Sequence, residues 1–126
     1  LIIVDAPEDC GNAPRKRTIR EFVIALYEEL DTALNYLSDA VHWEMVGSWS
    51  ATGKAMVREH LLRNAEVERL CIDKIITHGT DCGVDGKFTT KDGQSYAFCH
   101  VLIFTGGAKT AKIKTVRSYL IKLGTD

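Results

Sequence analysis

The sequence predicts an α+β domain, with N-terminal helices packed in a strongly curved, mainly antiparallel sheet. Three observations predict it. Apolar residues between 15 and 30 recur at helical spacing. From residue 70 onward the apolar period is two. The helical part comes first and the strands follow as a run, which is the order of an α+β chain and not of alternating βα units.

Residues 1–13 read as an arm and 14–126 as a single domain. Leu1 to Val4 has the composition of a short strand, and Ala6 to Pro14 reads as loop, broken by Gly11 and two prolines. Ile19, Phe22, Val23, Leu26, Tyr27 and Leu30 form one apolar stripe, so 15–30 is expected to be helical. A shorter helix follows, with Asp31 as N-cap and Ala33, Leu34 and Leu37 as its apolar positions. From Ala40 to Val46 the chain reads as extended, with Val41, Trp43 and Met45 on one side and Ala40, His42, Glu44 and Val46 on the other. Gly47-Ser48 turns it, and a third helix is expected over about 54–64. Strands are then expected over 70–77, 83–90, 95–104 and 112–123, with Gly86 weakening the second. Asp92-Gly93 marks the hairpin between the second and third of these strands.

The chain has 126 residues, with 45% hydrophobic and 26% charged residues, the mix of an ordinary globular domain. Lys+Arg 16 against Asp+Glu 17 leaves a net charge of −1, so the chain is not built as a polyanion binder. The basic residues are nonetheless uneven, and no acid occurs between Gly93 and Thr125. No aromatic residues interleave with them as a stacking platform, so nucleic acid is not an expected partner. No apolar run approaches the ~20 residues of a membrane span or the roughly 7–15 of a secretory core, so the expected location is cytoplasmic. Cys10, Cys71, Cys82 and Cys99 form no C-x-x-C pair and are read as free thiols. His78, Asp81 and Cys82 do not have the spacing of a zinc site, and Gly47 to Lys54 does not have that of a phosphate loop. Neither a metal nor a cofactor is expected.

The strand 95–104 is the most informative. Tyr96, Phe98, His100, Leu102 and Phe104 share one face, and Ala97, Cys99, Val101 and Ile103 the other. Both faces are apolar, so the helices are expected to cover one and a second subunit the other. His100 is a titratable group within the aromatic face. Burial would lower its pKa and a carboxylate neighbour would raise it. Glu44, between Trp43 and Met45, is a carboxylate in an apolar strand and a candidate general acid or base. The same residues also fit a structural core histidine and a solvent-facing glutamate.

The passage Tyr36 to Ser48, the Gly53-Lys54 opening of the third helix and the segment Ile113 to Tyr119 resemble the nuclear-transport-factor-2-like superfamily. That superfamily includes ketosteroid isomerases, scytalone dehydratase and SnoaL-like cyclases. Asp9 to Lys16 is similar to a bacterial subgroup without a settled function, and the resemblance covers residues 9–123. It implies a cone, a bent sheet wrapped around the long helix with a pocket at the open end, and dimerisation through the sheet. The isomerase pattern Asp-Ala-x-x-x-Asp-Pro-x-Gly-Ser looks like Asp39 to Ser48, which carries the catalytic aspartate onto Glu44 and replaces its proline by Met45. Tyr36 falls on a supporting tyrosine. The neutral carboxylic acid of the isomerase oxyanion hole falls on His100. The tyrosine of that hole falls near Arg20, with Phe22 the nearest aromatic, so steroid isomerisation is not what the match implies.

Two function classes follow. One is a cofactor-independent isomerase, dehydratase or cyclase that uses Glu44 and His100 on a small apolar or carbonyl-containing ligand. Its pocket would be lined by Tyr36, Phe22, His42, Trp43, Phe98, Leu102, Val116 and Ser118. The other is a non-catalytic ligand-binding or dimeric interaction module of the same fold. A cavity shared by Glu44 and His100 would discriminate between them.

Overall fold

The computed structural model describes residues 2–6 and 13–124. Apart from β3, the elements follow the expected order: β1 (Ile3–Asp5), α1 (Pro14–Glu28), α2 (Leu30–Leu34), β2 (Leu37–Met45), β3 (Trp49–Thr52), α3 (Lys54–Leu61), β4 (Val67–His78), β5 (Asp81–Thr90), β6 (Ser95–Phe104) and β7 (Ile113–Lys122). The strands form one sheet in the order β1-β4-β5-β6-β7-β2-β3. Four pairings are antiparallel, while β1–β4 and β2–β7 are parallel.

Pro14 does not belong to the loop as expected. It opens α1, where its missing N–H costs no hydrogen bond, and its carbonyl accepts from Thr18 Oγ1 at 3.1 Å. Asp31 is not the N-cap of α2, which is Glu29. Asp31 lies in the first turn, and its carboxylate accepts from Arg58 Nε on α3 at 2.9 Å. The sequence pattern did not reveal β3, which has only four residues and pairs with β2 alone. Its Trp49 ring stacks on His60 of α3 with centroids 4.4 Å apart, fastening that helix to the sheet edge.

The bend of the sheet explains Gly86. The register between β4 and β5 shifts between Ile72 and Lys74, and Gly86 lies opposite Ile72. A Cβ at Gly86 would stand 2.0 Å from the carbonyl oxygen of Cys71 and 2.9 Å from Phe98 Cζ. Gly86 is thus where two strands and an inner-face ring come too close for any side chain. Gly93, at φ +89°, supplies the left-handed residue of the β5–β6 turn, with its N–H donating to the Thr90 carbonyl at 3.0 Å.

The inner face of the curled sheet holds the core against α1. Ile19, Phe22 and Val23 of the helix are fully buried, as are Val41 and Trp43 of β2, Leu102 of β6 and Ile113 of β7. One end of this interior is closed. There the Arg15 guanidinium lies 3.9 Å above the Phe104 ring and donates to the carbonyls of Gly106 and Ala108 at 2.9 and 3.3 Å. Cys71, Cys82 and Cys99 are free thiols, and Cys10 lies outside the described residues. Among the described residues no helix is long and apolar enough to cross a membrane.

Candidate functional site

The other end of the interior is a cavity of about 220 Å³. Tyr27 of α1 forms one wall. Phe88 of β5 and Tyr96 and His100 of β6 form the next, and Met45 of β2 with Ser118 of β7 closes the ring. The turn after α3 contributes Arg63, Asn64 and Ala65 at the rim. Phe88 stacks on Tyr96 at 5.2 Å between centroids, and Tyr27 packs on Phe88 at 4.9 Å, so the walls are held by ring-on-ring contacts.

A chain of hydrogen bonds runs from the core to this cavity. Trp43 Nε1 donates to Ser118 Oγ at 3.0 Å. Ser118 Oγ lies 2.7 Å from His100 Nδ1, and His100 Nε2 lies 3.0 Å from the Tyr27 hydroxyl. Register explains why these side chains meet. His100 pairs across the sheet with Ser118, and Ser118 with Met45, one residue beyond Trp43.

The donor inventory orders the protons. The indole is only a donor, so Ser118 accepts from it. Ser118 is fully buried, and its own proton needs an acceptor, which is His100 Nδ1. Nε2 then carries the imidazole proton and donates to the Tyr27 oxygen. The Tyr27 proton is left to face the cavity. Burial supports the neutral forms of both titratable members. It pushes His100 down to about 4 and raises the Tyr27 phenol far above its ordinary value. Both groups are uncharged over the whole physiological range.

Glu44 does not join this site. Trp43 and Met45 of β2 face inward, so the neighbouring Glu44 faces outward. Glu44 pairs in register with Arg117, and its carboxylate lies 3.6 Å from Arg117 Nε on the exposed outer face. The sheet itself therefore stands between Glu44 and His100. His42 shares the outward parity and is exposed, with Nδ1 2.9 Å from Thr52 Oγ1.

Of the residues expected to line a pocket, Ser118 does so and Trp43 lies directly behind it. Phe98 packs against His100 and Tyr27, with centroids 5.1 and 5.5 Å apart, and supports both. Phe22, Leu102 and Val116 are buried core. Tyr36 contacts Phe22 edge-on from the far side of α1, where burial and then the Glu21 carboxylate raise its pKa. Tyr27 is the residue that sequence reasoning missed. In the sequence it is one more position of the helix stripe, and its hydroxyl is the one signal that sets it apart there.

No protein-family model matches the chain, and no curated protein matches it. Solved structures do. An NTF2-like protein of unknown function from Cytophaga hutchinsonii is 20% identical, with a TM-score of 0.63 over 84% of this chain and 98% of that one. A Kribbella flavida protein provisionally assigned as a ketosteroid isomerase is 14% identical, with a TM-score of 0.71 over 90% and 82%. An LEH-like epoxide hydrolase of M. tuberculosis is 19% identical, with a TM-score of 0.67 over 85% and 82%. The fold is the nuclear-transport-factor-2-like cone. The curled sheet wraps α1 as the sequence resemblance implied, and the nuclear-transport-factor-2-like neighbours include both named enzymes and proteins of unknown function. At these identities the likeness is one of fold, and function has to be argued from the residues of this site.

Proposed function

We propose that this chain is a small-molecule-binding protein whose ligand is a compact apolar compound carrying a carbonyl or similar acceptor oxygen. The observation that supports this reading is the hydrogen-bond chain from Trp43 through Ser118 and His100, which leaves the Tyr27 hydroxyl as a donor at the cavity. A fixed donor in an apolar enclosure binds an acceptor oxygen more strongly than water-exposed donors do, because no solvent competes for it. The size fits one ring and a few further atoms, since a dry cavity of about 150 Å³ holds a benzene molecule.

Binding is favoured over proton-transfer catalysis by Glu44 and His100. No carboxylate is among the described residues lining the cavity, and Glu44 is outside the cone. Neutral His100 serves here as a positioning residue for Tyr27. We also propose that the chain forms a homodimer through the outer face of the sheet, where Ile76, Val101, Tyr119 and Ile121 are exposed.

Acetophenone and ethylbenzene make a matched test, differing in the carbonyl. Titrations followed by amide resonances should show acetophenone binding in the cavity more tightly than ethylbenzene. Tyr27→Phe should remove that preference, a loss of roughly two- to tenfold. Equal binding of acetophenone by the wild type and by Tyr27→Phe would contradict the reading.

A further inference from the structure

The cavity is uneven in charge. Its interior is aromatic and neutral, yet its rim carries the Arg63 guanidinium, the only side chain with a formal charge among the described lining residues. Among the described residues this guanidinium takes part in no ion pair and no hydrogen bond. Two acids close in sequence to lining residues are already engaged. Glu66 is paired with Lys91 Nζ at 2.9 Å, and Asp92 accepts from Thr90 Oγ1. Asn64, the next residue on the rim, adds an amide. The Arg63 and Asn64 backbones are tied to the end of α3, their N–H groups donating to the carbonyls of His60 and Leu61 at 3.2 and 3.1 Å. That leaves the side chains at the rim of an apolar hole.

We infer that the ligand is an apolar monocarboxylate, oriented with its acceptor oxygen inward at Tyr27 and its carboxylate outward at Arg63 and Asn64. This deepens the binding reading above and rests on it. The planar guanidinium can hold a carboxylate through two parallel N–H donors, and Asn64 can supply another. A dicarboxylate would bring its second charge against Phe88, Tyr96 and a neutral His100, where nothing compensates it. A fully apolar ligand would leave the guanidinium unused. The two ends of the cavity thus select a molecule with one anionic end.

The test uses 4-oxo-4-phenylbutanoate and its methyl ester with the full chain, following binding by calorimetry at low and moderate salt. The acid should bind the wild type at least tenfold more tightly than the ester, as expected for a charge-assisted hydrogen bond. Arg63→Gln should remove that advantage, bringing the ratio of acid to ester affinity close to one. Arg63 is exposed, so this variant should fold as the parent does. Tyr27→Phe should weaken acid and ester by the same factor. Equal binding of acid and ester by the wild type, or an unchanged ratio in Arg63→Gln, would overturn the carboxylate inference while ester binding kept the cavity reading intact. Failure of both compounds to bind would overturn the two together.

Discussion

His100 and Glu44 sit on neighbouring strand registers yet face opposite sides of one sheet, and their surroundings differ in every respect. His100 is buried among rings, has both nitrogens engaged, and is held neutral. Glu44 is half-exposed, carries a single long ion pair with Arg117, and borders solvent. One residue of parity separates the two situations, since Trp43 shares the inner face with His100 and Ser118. On the inner face Trp43, Ser118, His100 and Tyr27 form a connected chain, and an unpaired polar atom among them would be costly. On the outer face Glu44–Arg117 and His42–Thr52 are isolated pairs of side chains that water reaches.

That contrast breaks first under acid. His100 has an ordinary value of 6.5 and a folded value of about 4. Between these the unfolded chain binds a proton that the folded chain refuses, so stability is full above 6.5 and falls as pH drops towards 4. The slope approaches about 1.4 kcal/mol per pH unit, a loss on the order of 3 kcal/mol across the window. Denaturation at a series of pH values should show it, and His100→Gln should flatten the profile by that amount relative to wild type. A profile identical in the two proteins would mean that the imidazole is not held neutral by the fold.

The smallest expected effect is at the outer residue. Glu44→Gln removes an exposed charge and should change stability by within about 0.5 kcal/mol. It should also leave acetophenone affinity unaltered. A loss of binding in this variant would place Glu44 in contact with the cavity and remove the distinction between the faces.

The architecture was legible because periodicity reports burial directly. The two residue sets of strand 95–104 are legible residue for residue, since a period of two leaves no second choice of set, while both being apolar leaves open which turns inward. The bend at Gly86 is not, because a glycine in a strand reads as weakness until the Cys71 carbonyl of the adjacent β4 and the Phe98 ring are seen. Part of the site was legible for the same reason as the strand: His100 stood out as an imidazole on an aromatic face. Glu44 was assigned by likeness to a family motif, although strand alternation had already set it opposite Trp43, which turns inward. A motif match specifies residue type, but parity decides which side of the sheet receives it. Tyr27 escaped notice because a helix stripe records the ring and not the direction of its hydroxyl. Arg63 escaped because the expected helix over 54–64 includes it, whereas α3 ends at Leu61 and leaves Arg63 in the turn beyond.

The proton order at His100 decides whether the Tyr27 hydroxyl is free for the cavity. Long-range nitrogen–proton correlation spectra of the His100 imidazole test it most directly. One neutral form protonated at Nε2 is expected from pH 8 to pH 5, consistent with the value of about 4. A form protonated at Nδ1, or a titration midpoint near the ordinary 6.5, would contradict it.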